Sequence, residues 1–263
     1  MLLRDCDMRI ELILLFYVSM MTLLTGCTKP QETYFNQVAK KHHSAVTPVY
    51  TPFEEVQEWY GPRLEAVNSR LREGDADVLF IGNSIIHGLE NTGKKYWDRY
   101  YQSRKAVNMG FGWDRTQHVL WRLDHSDFSR IKPRLAVVLI GTNNTNGDDN
   151  TAEEIADGMV AVCYRLVKKF PDMKILLLGI FPREPEPCAQ REKIRKANLL
   201  AARIADGENI HYMDLSSLFL LPDEKLRHSL MPDYLHPNAQ GYRVWLEVIE
   251  YEVAELLGEH GEH

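Results

Sequence analysis

The chain has 263 residues, of which 44% are hydrophobic, enough for one sizeable core, so a single domain is the expectation. A formal charge of −6, with acidic and basic residues interspersed, leaves no basic footprint for a phosphate backbone. Nucleic acid is therefore disfavoured as a partner.

At the N-terminus, Arg4 and Arg9 precede an apolar run that ends at Leu24. The run is short for a membrane span and lacks a basic stop-transfer flank, so residues 1–26 read as a signal peptide. Its end, Leu24-Thr25-Gly26-Cys27, resembles the bacterial lipoprotein processing box. The resemblance implies a diacylglycerol on the Cys27 sulfur, hence membrane attachment through a lipid anchor and a cell-envelope address. Thr28, where inner-membrane retention would place an aspartate, points by the same resemblance to the outer membrane of a Gram-negative bacterium. A plain signal peptide with an incidental cysteine is the alternative. Residues 27–52 are polar and read as the lipidated cysteine and a flexible tether, with His42 and His43 solvated in it.

The folded domain is expected over residues 53–258, before a disordered tail at 259–263 that holds His260 and His263. A helical pattern over Glu54–Arg72 comes first. Five short apolar runs follow, at Val78–Ile81, Ala106–Met109, Leu135–Ile140, Ile175–Ile180 and Ile210–Met213. Between them lie helical patterns near Arg115–Leu123, Thr151–Lys169 and Gln190–Ala205, and a last helix spans about Asn238–Leu257. Thr151 with Glu154 three residues on is a capping-box start. Strands this apolar, alternating with helices, predict a parallel sheet covered on both faces. The expectation is a three-layer α/β/α fold with five strands in the order 2-1-3-4-5. Cys163 falls in an apolar helical pattern and Cys188 among prolines, and spacing does not decide whether they pair.

In that order the crevice opens at the carboxyl ends of the strands around strand 1. Ser84 follows strand 1, Gly110 strand 2 and Asn143 strand 3, so three chemistry-bearing segments converge at one switch point. A serine hydroxyl needs a base, and Asp233-Tyr234-Leu235-His236 supplies one with its orienting carboxylate three residues upstream. Ser84 is thus the candidate nucleophile, His236 the base and Asp233 its partner. The main-chain N–H groups of Ser84 and Gly110 and the Asn143 amide are candidate oxyanion donors. His87, Trp113 and Arg183 are candidate substrate contacts. Each residue alone has a plainer reading, as a cap, a turn glycine or a solvated loop side chain.

Taken together the segments resemble the four blocks of the SGNH (GDSL-type) hydrolase superfamily, matched in order by Ser84, Gly110, Asn143 and His236. Asn108 to Leu123, Gly141 to Asn144, Leu178 to Arg183 and Asp233 to His236 are similar to the catalytic subunits of platelet-activating factor acetylhydrolase Ib. The resemblance spans about Asp77 to Tyr242. It implies a flavodoxin-like fold, ester hydrolysis without metal or cofactor, a preference for small acyl groups such as acetyl, and association as a homodimer. One departure is visible: the first block reads Gly82-Asn83-Ser84, where the family has an aspartate before the serine. The leading expectation is an acyl-enzyme esterase acting on a small acylated substrate, carbohydrate if the envelope address holds. An acetyl-lipid or lysophospholipid esterase and a non-catalytic glycan-binding lipoprotein are the alternatives.

Overall fold

The computed structural model describes residues 30–51 and 57–259, so the expected signal peptide, Cys27 and the tail from 260 on lie outside the described residues. In chain order the elements are α1 (Pro30–Val38), α2 (Gln57–Arg72), β1 (Val78–Gly82), α3 (Ser84–His87), α4 (Lys94–Tyr101), β2 (Val107–Gly110), α5 (Thr116–His125) and β3 (Leu135–Leu139). They continue with α6 (Ala152–Lys169), β4 (Lys174–Leu178), α7 (Ala189–Ala201), β5 (Ile210–Met213), α8 (Ser216–Phe219) and α9 (Ala239–Leu257). The sheet is five-stranded and parallel throughout, in the order β2-β1-β3-β4-β5. This is the order expected from the alternation of strands and helices.

Alternate residues of each strand enter two separate cores, because successive side chains point to opposite faces of a sheet. Leu79, Ile81, Val138, Ile175 and Leu177 pack with α2, α5, α6 and α7 on one face. Val78, Phe80, Val137, Leu139, Leu176 and Leu178 pack with α3, α4 and α9 on the other. Both faces being dry explains why the strands read as unbroken apolar runs. In register, Gly82 lies level with Gly110 on β2 and Leu139 on β3, so three strand ends release their loops side by side.

The sequence reading needs two corrections. The segment expected as a tether packs on the domain where it is described. Phe35 and Val38, three apart on α1, are buried, and the Phe35 ring meets Tyr164 of α6 at 5.2 Å. Ala45 is fully buried and its carbonyl accepts from Thr116 Oγ1 at 2.7 Å, while Val49 N–H donates to Gln117 O at 3.2 Å. His43 is not solvated: its Nε2 lies 3.2 Å from Asp157 Oδ2, which also receives Lys41 Nζ at 2.5 Å. A polar composition concealed a few well-spaced apolar anchors. Secondly, helix α4 was not expected. It is only 8 residues long, and its Tyr96, Trp97, Tyr100 and Tyr101 give an aromatic rather than aliphatic stripe. The last helix begins where the sequence placed it: Asn238 caps α9, and its Oδ1 accepts Gly241 N–H at 2.9 Å. The Thr151–Glu154 capping box is present as read. Cys163 is buried in the core, Cys188 is exposed, and both are free.

Candidate active site

The turn that carries Ser84, the candidate nucleophile, is built from the end of β1. Asn83 is the N-cap of α3, its Oδ1 accepting Ile85 N–H at 2.9 Å, and it is 1% exposed. An amide oxygen caps as a carboxylate oxygen would, so the Gly-Asn-Ser departure keeps the turn while removing its charge. Ser84 is the first residue of the helix, where main-chain N–H groups lack intrahelical partners. Its N–H has no partner among the described residues. From α9, Tyr242 Oη donates to Ile85 O at 2.8 Å, so the helix that follows the candidate base also braces the helix that Ser84 begins.

Ser84 Oγ lies 2.9 Å from His236 Nε2, and His236 Nδ1 lies 2.7 Å from Asp233 Oδ2. The other oxygen, Asp233 Oδ1, accepts the N–H groups of Leu235 and His236 at 3.0 and 2.7 Å. One carboxylate therefore folds its own turn and orients the imidazole. Burial pushes the Asp233 carboxyl up, but the His236 and Leu235 N–H groups and the His236 ring outweigh it and hold it below its ordinary value. With Nδ1–H donating to a carboxylate that stays ionised, Nε2 is the free acceptor facing the serine hydroxyl. The hydrogen-bonded row Ser84–His236–Asp233 joins residues 152 positions apart, and it can activate a hydroxyl for attack on an acyl carbonyl.

The oxyanion side is in part as read. Asn143 lies on a 3₁₀ turn, Thr142–Thr145, reached through Gly141 at φ 122, a conformation reserved for glycine. One hydrogen of the Asn143 amide donates to Asp114 O at 2.9 Å, which fixes the amide plane and leaves the other hydrogen for a ligand. The oxyanion role expected of Gly110 is not available in this arrangement, because its N–H is spent on Asn108 Oδ1 at 2.8 Å. Gly110 serves close packing instead: a Cβ there would sit 2.2 Å from His87 N and 2.6 Å from Ile86 C. Phe111 N–H is also spent, on Gly82 O at 3.1 Å. The next two N–H groups, of Gly112 and Trp113, have no partner among the described residues. They belong to the turn closed by Asp114 N–H on Phe111 O at 3.3 Å, with Trp113 at φ 66. The N–H groups left without a partner thus lie two or three residues beyond Gly110.

A family model for GDSL-like lipases and acylhydrolases matches residues 80–244. The chain belongs to this family. It is 33% identical over 189 residues to platelet-activating factor acetylhydrolase IB subunit alpha1 of Rattus norvegicus, covering 72% of this chain and 79% of that one. Among solved structures it resembles a GDSL-like lipase from Bacteroides thetaiotaomicron, with TM-score 0.58, 20% identity, and coverage of 74% of this chain and 98% of that one. A carbohydrate acetylesterase from Sinorhizobium meliloti matches with TM-score 0.55, 18% identity, and coverage of 68% and 98% respectively. The protein is a carboxylic ester hydrolase of the GDSL-like kind.

In this GDSL-like acylhydrolase the residues around the row take different roles. His87, one turn past Ser84, packs its ring 5.5 Å from that of Trp59. Burial and then the Arg63 charge hold it at about 4, so it is a neutral wall at physiological pH. Trp113 is 61% exposed in the left-handed region, an outlier for a bulky residue. Arg183 is not free to meet a substrate anion as expected: its Nη1 donates to Asn146 Oδ1 at 2.9 Å and its Nε lies 3.5 Å from Glu184 Oε1.

Sequence reasoning missed the groups beneath the site. Buried Asp114 pairs with buried Arg122, whose Nη2 donates to Met109 O at 3.0 Å and whose guanidinium lies 4.0 Å over the Phe111 ring. Asn108 holds Ile86 O at 2.8 Å as well as Gly110 N–H, and Arg63 Nε donates to Gly110 O at 2.7 Å. Asn144 accepts Thr116 N–H at 3.0 Å and donates to Gln117 Oε1 and Asn150 Oδ1, each at 3.0 Å. The available signal was an excess of polar residues directly after dry strands, where each must find a buried partner.

Proposed function

We propose that this acylhydrolase removes acetyl or another short acyl group from acylated carbohydrate at the cell envelope, attached to the membrane through Cys27. The row Ser84–His236–Asp233 carries the reaction. His236 Nε2 takes the Ser84 proton as Oγ attacks the acyl carbon, and the carbonyl electron pair moves onto oxygen, giving a tetrahedral oxyanion. The Ser84 N–H, the free Asn143 amide hydrogen and the N–H groups of the 112–113 turn are its donors. Collapse expels the alcohol, which takes the proton from His236 and leaves an acyl-Ser84 ester. Water, deprotonated by His236, then releases the carboxylic acid and restores the serine.

Two kinds of relative support a small acyl group, since acetyl is named both in the rat acetylhydrolase and in the Sinorhizobium carbohydrate acetylesterase. Carbohydrate is supported by the second name and by the exposed indole of Trp113 on the donor loop, a flat apolar face with a polar edge, suited to a sugar ring. An acetyl-lipid substrate is the second reading, favoured by the 33% identity to the rat enzyme. A glycan-binding protein with an idle scaffold is disfavoured by the intact row.

A fluorophosphonate probe tests the chemistry: it should label wild type and not Ser84→Ala, and an unlabelled folded wild type refutes the esterase reading. Acetate release from acetylated oligosaccharides, acetyl-lipids and aryl acetates decides the substrate class. Faster release from acetyl-lipid would reject carbohydrate. Cys27→Ala should free the protein from membranes, and a variant that stays bound like wild type rejects the anchor. Light scattering on purified protein tests the homodimer that the resemblance implies.

A further inference from the structure

The turn that carries acid and base is an unusual piece of backbone. Between Asp233 and His236, Tyr234 sits at φ 58, a left-handed conformation that a residue with a large side chain leaves unless its surroundings hold it. The Tyr234 carbonyl accepts Glu184 N–H at 3.0 Å, and Glu184 is itself left-handed, at φ 69. One hydrogen bond thus joins two such residues, one in the catalytic turn and one in the loop that leaves β4.

That loop has its own anchor. Arg191, in the first turn of α7, donates through Nε to Arg183 O at 3.1 Å, while its two terminal nitrogens donate to the carbonyls of Glu184 and Glu224. Glu224 is left-handed too, at φ 62. Three carbonyls from two loops converge on one planar cation, a match that needs a guanidinium's fixed fork of donors. The loop is also stitched at its ends, by Leu226 N–H on Pro185 O at 3.0 Å and by Arg183 Nη1 on Asn146 Oδ1 at 2.9 Å. Asn146 lies three residues beyond the oxyanion asparagine, and its own N–H donates to Asn143 O at 3.4 Å. The β4 loop therefore touches the acid–base turn on one side and the oxyanion turn on the other.

We propose that Arg191 is a positioning residue for the acid–base turn. By clamping the carbonyls of Arg183, Glu184 and Glu224 it fixes the Glu184 N–H that holds Tyr234, and so the reach of His236 to Ser84. Arg191 touches neither His236 nor Ser84. The inference rests on the esterase reading, since it concerns the alignment of that row. Loss of the clamp lets the imidazole wander, which lowers the rate of attack and leaves acyl-group binding untouched.

The test compares wild type, Arg191→Ala and Arg191→Lys as purified full-length proteins on an aryl acetate, with circular dichroism and thermal melting to establish the fold. Arg191→Ala should lose about tenfold or more in kcat with KM within about twofold of wild type, because a small misplacement of a catalytic group costs rate and not affinity. Millimolar guanidinium chloride should restore part of that rate in Arg191→Ala and none in Asp233→Ala, a rescue that general loss of stability would not show. Arg191→Lys should fall between wild type and Arg191→Ala, since an ammonium cannot meet three divergent carbonyls. A folded Arg191→Ala with wild-type kcat overturns the proposal. So does a raised KM at unchanged kcat, which would assign Arg191 to binding in the cleft of about 260 Å³ that it lines with Pro182, Cys188 and Asp214. If Arg191→Ala does not fold, Arg191→Lys decides alone, and wild-type kcat in it overturns the clamp. Wild-type activity in Ser84→Ala would instead sink the esterase reading and leave the Arg191 contacts without a row to align.

Discussion

Replacing Asp233 by Asn removes one charge and leaves the turn standing. The side-chain oxygen still accepts the Leu235 and His236 N–H groups, now at 3.0 and 2.7 Å, so the amide nitrogen occupies the place of Oδ2 and faces His236 Nδ1. Two donors cannot share that contact, and the ring proton moves to Nε2, where it points at the serine hydroxyl it should be receiving from. Forfeiting the charge-assisted hydrogen bond in the reactive tautomer costs about 1.5–3 kcal/mol. The carboxylate also faces an imidazolium in the transition state. With 40% and 56% of the two side chains exposed, that attraction is largely screened and contributes about 1–2 kcal/mol. A total near 3–4 kcal/mol corresponds to a loss of about 10²–10³-fold in kcat/KM. This falls short of the roughly 10⁴-fold loss known for a buried triad acid. The assay is hydrolysis of an aryl acetate together with the rate of fluorophosphonate labelling, on protein whose melting temperature matches wild type. A loss of less than about fivefold, with Ser84→Ala inactive, would show that Asp233 does not set the tautomer.

Three further outcomes follow from the geometry. Gly110→Ala must displace the main chain at His87 and Ile86, so it should lower unfolding free energy by about 3 kcal/mol in urea titration; unchanged stability would return Gly110 to a purely chemical role. Trp113→Gly relieves a left-handed tryptophan and should raise stability by about 1 kcal/mol, while raising KM for acetylated oligosaccharide and leaving that for methyl acetate unchanged. Equal KM values for both esters in that variant would remove the indole from substrate binding. Burial and then Arg115 hold His118 at about 4, with its Nδ1 accepting Arg115 N–H at 3.2 Å. Its folded value is depressed below the unfolded value near 6.5, so the unfolded chain binds more protons between these limits. Stability is then full above about pH 6.5 and falls towards pH 4, with about 1–2 kcal/mol lost from His118 by pH 5, and a smaller share from half-buried His87. The urea midpoint should fall less in His118→Gln than in wild type between pH 7 and pH 5, and equal falls would refute the assignment.

The row of Ser84, His236 and Asp233 was legible in the sequence because each residue sits at a position that local rules mark. Ser84 ends a dry strand, and Asp233 lies three residues before His236 in a turn whose backbone the aspartate itself caps. The strand order was legible because alternating apolar runs and helices leave few ways to cover a parallel sheet. The oxyanion donor was misplaced for a definite reason. Glycine after a strand marks both a donor loop and a close approach, and only the contact with His87 and the bond to Asn108 separate the two at Gly110. Residues 30–51 read as a tether because composition averages over spacing, and the buried Phe35, Val38 and Ala45 suffice to dock them.

The sequence by itself determined the elements, their order around β1, and the meeting of Ser84 with the Asp233–His236 pair, because these follow from periodicity and from chemistry carried within a few residues. Tertiary structure decided which N–H groups stay free, that Arg183 is occupied, and that Arg122 and Arg191 hold the loops from below and from the side. Those facts depend on partners tens of residues apart, such as Arg191 with Glu224 or Asn143 with Asp114. Hydrogen-bond satisfaction in a buried site is a property of the assembled surroundings, and no local pattern encodes which donor is left over.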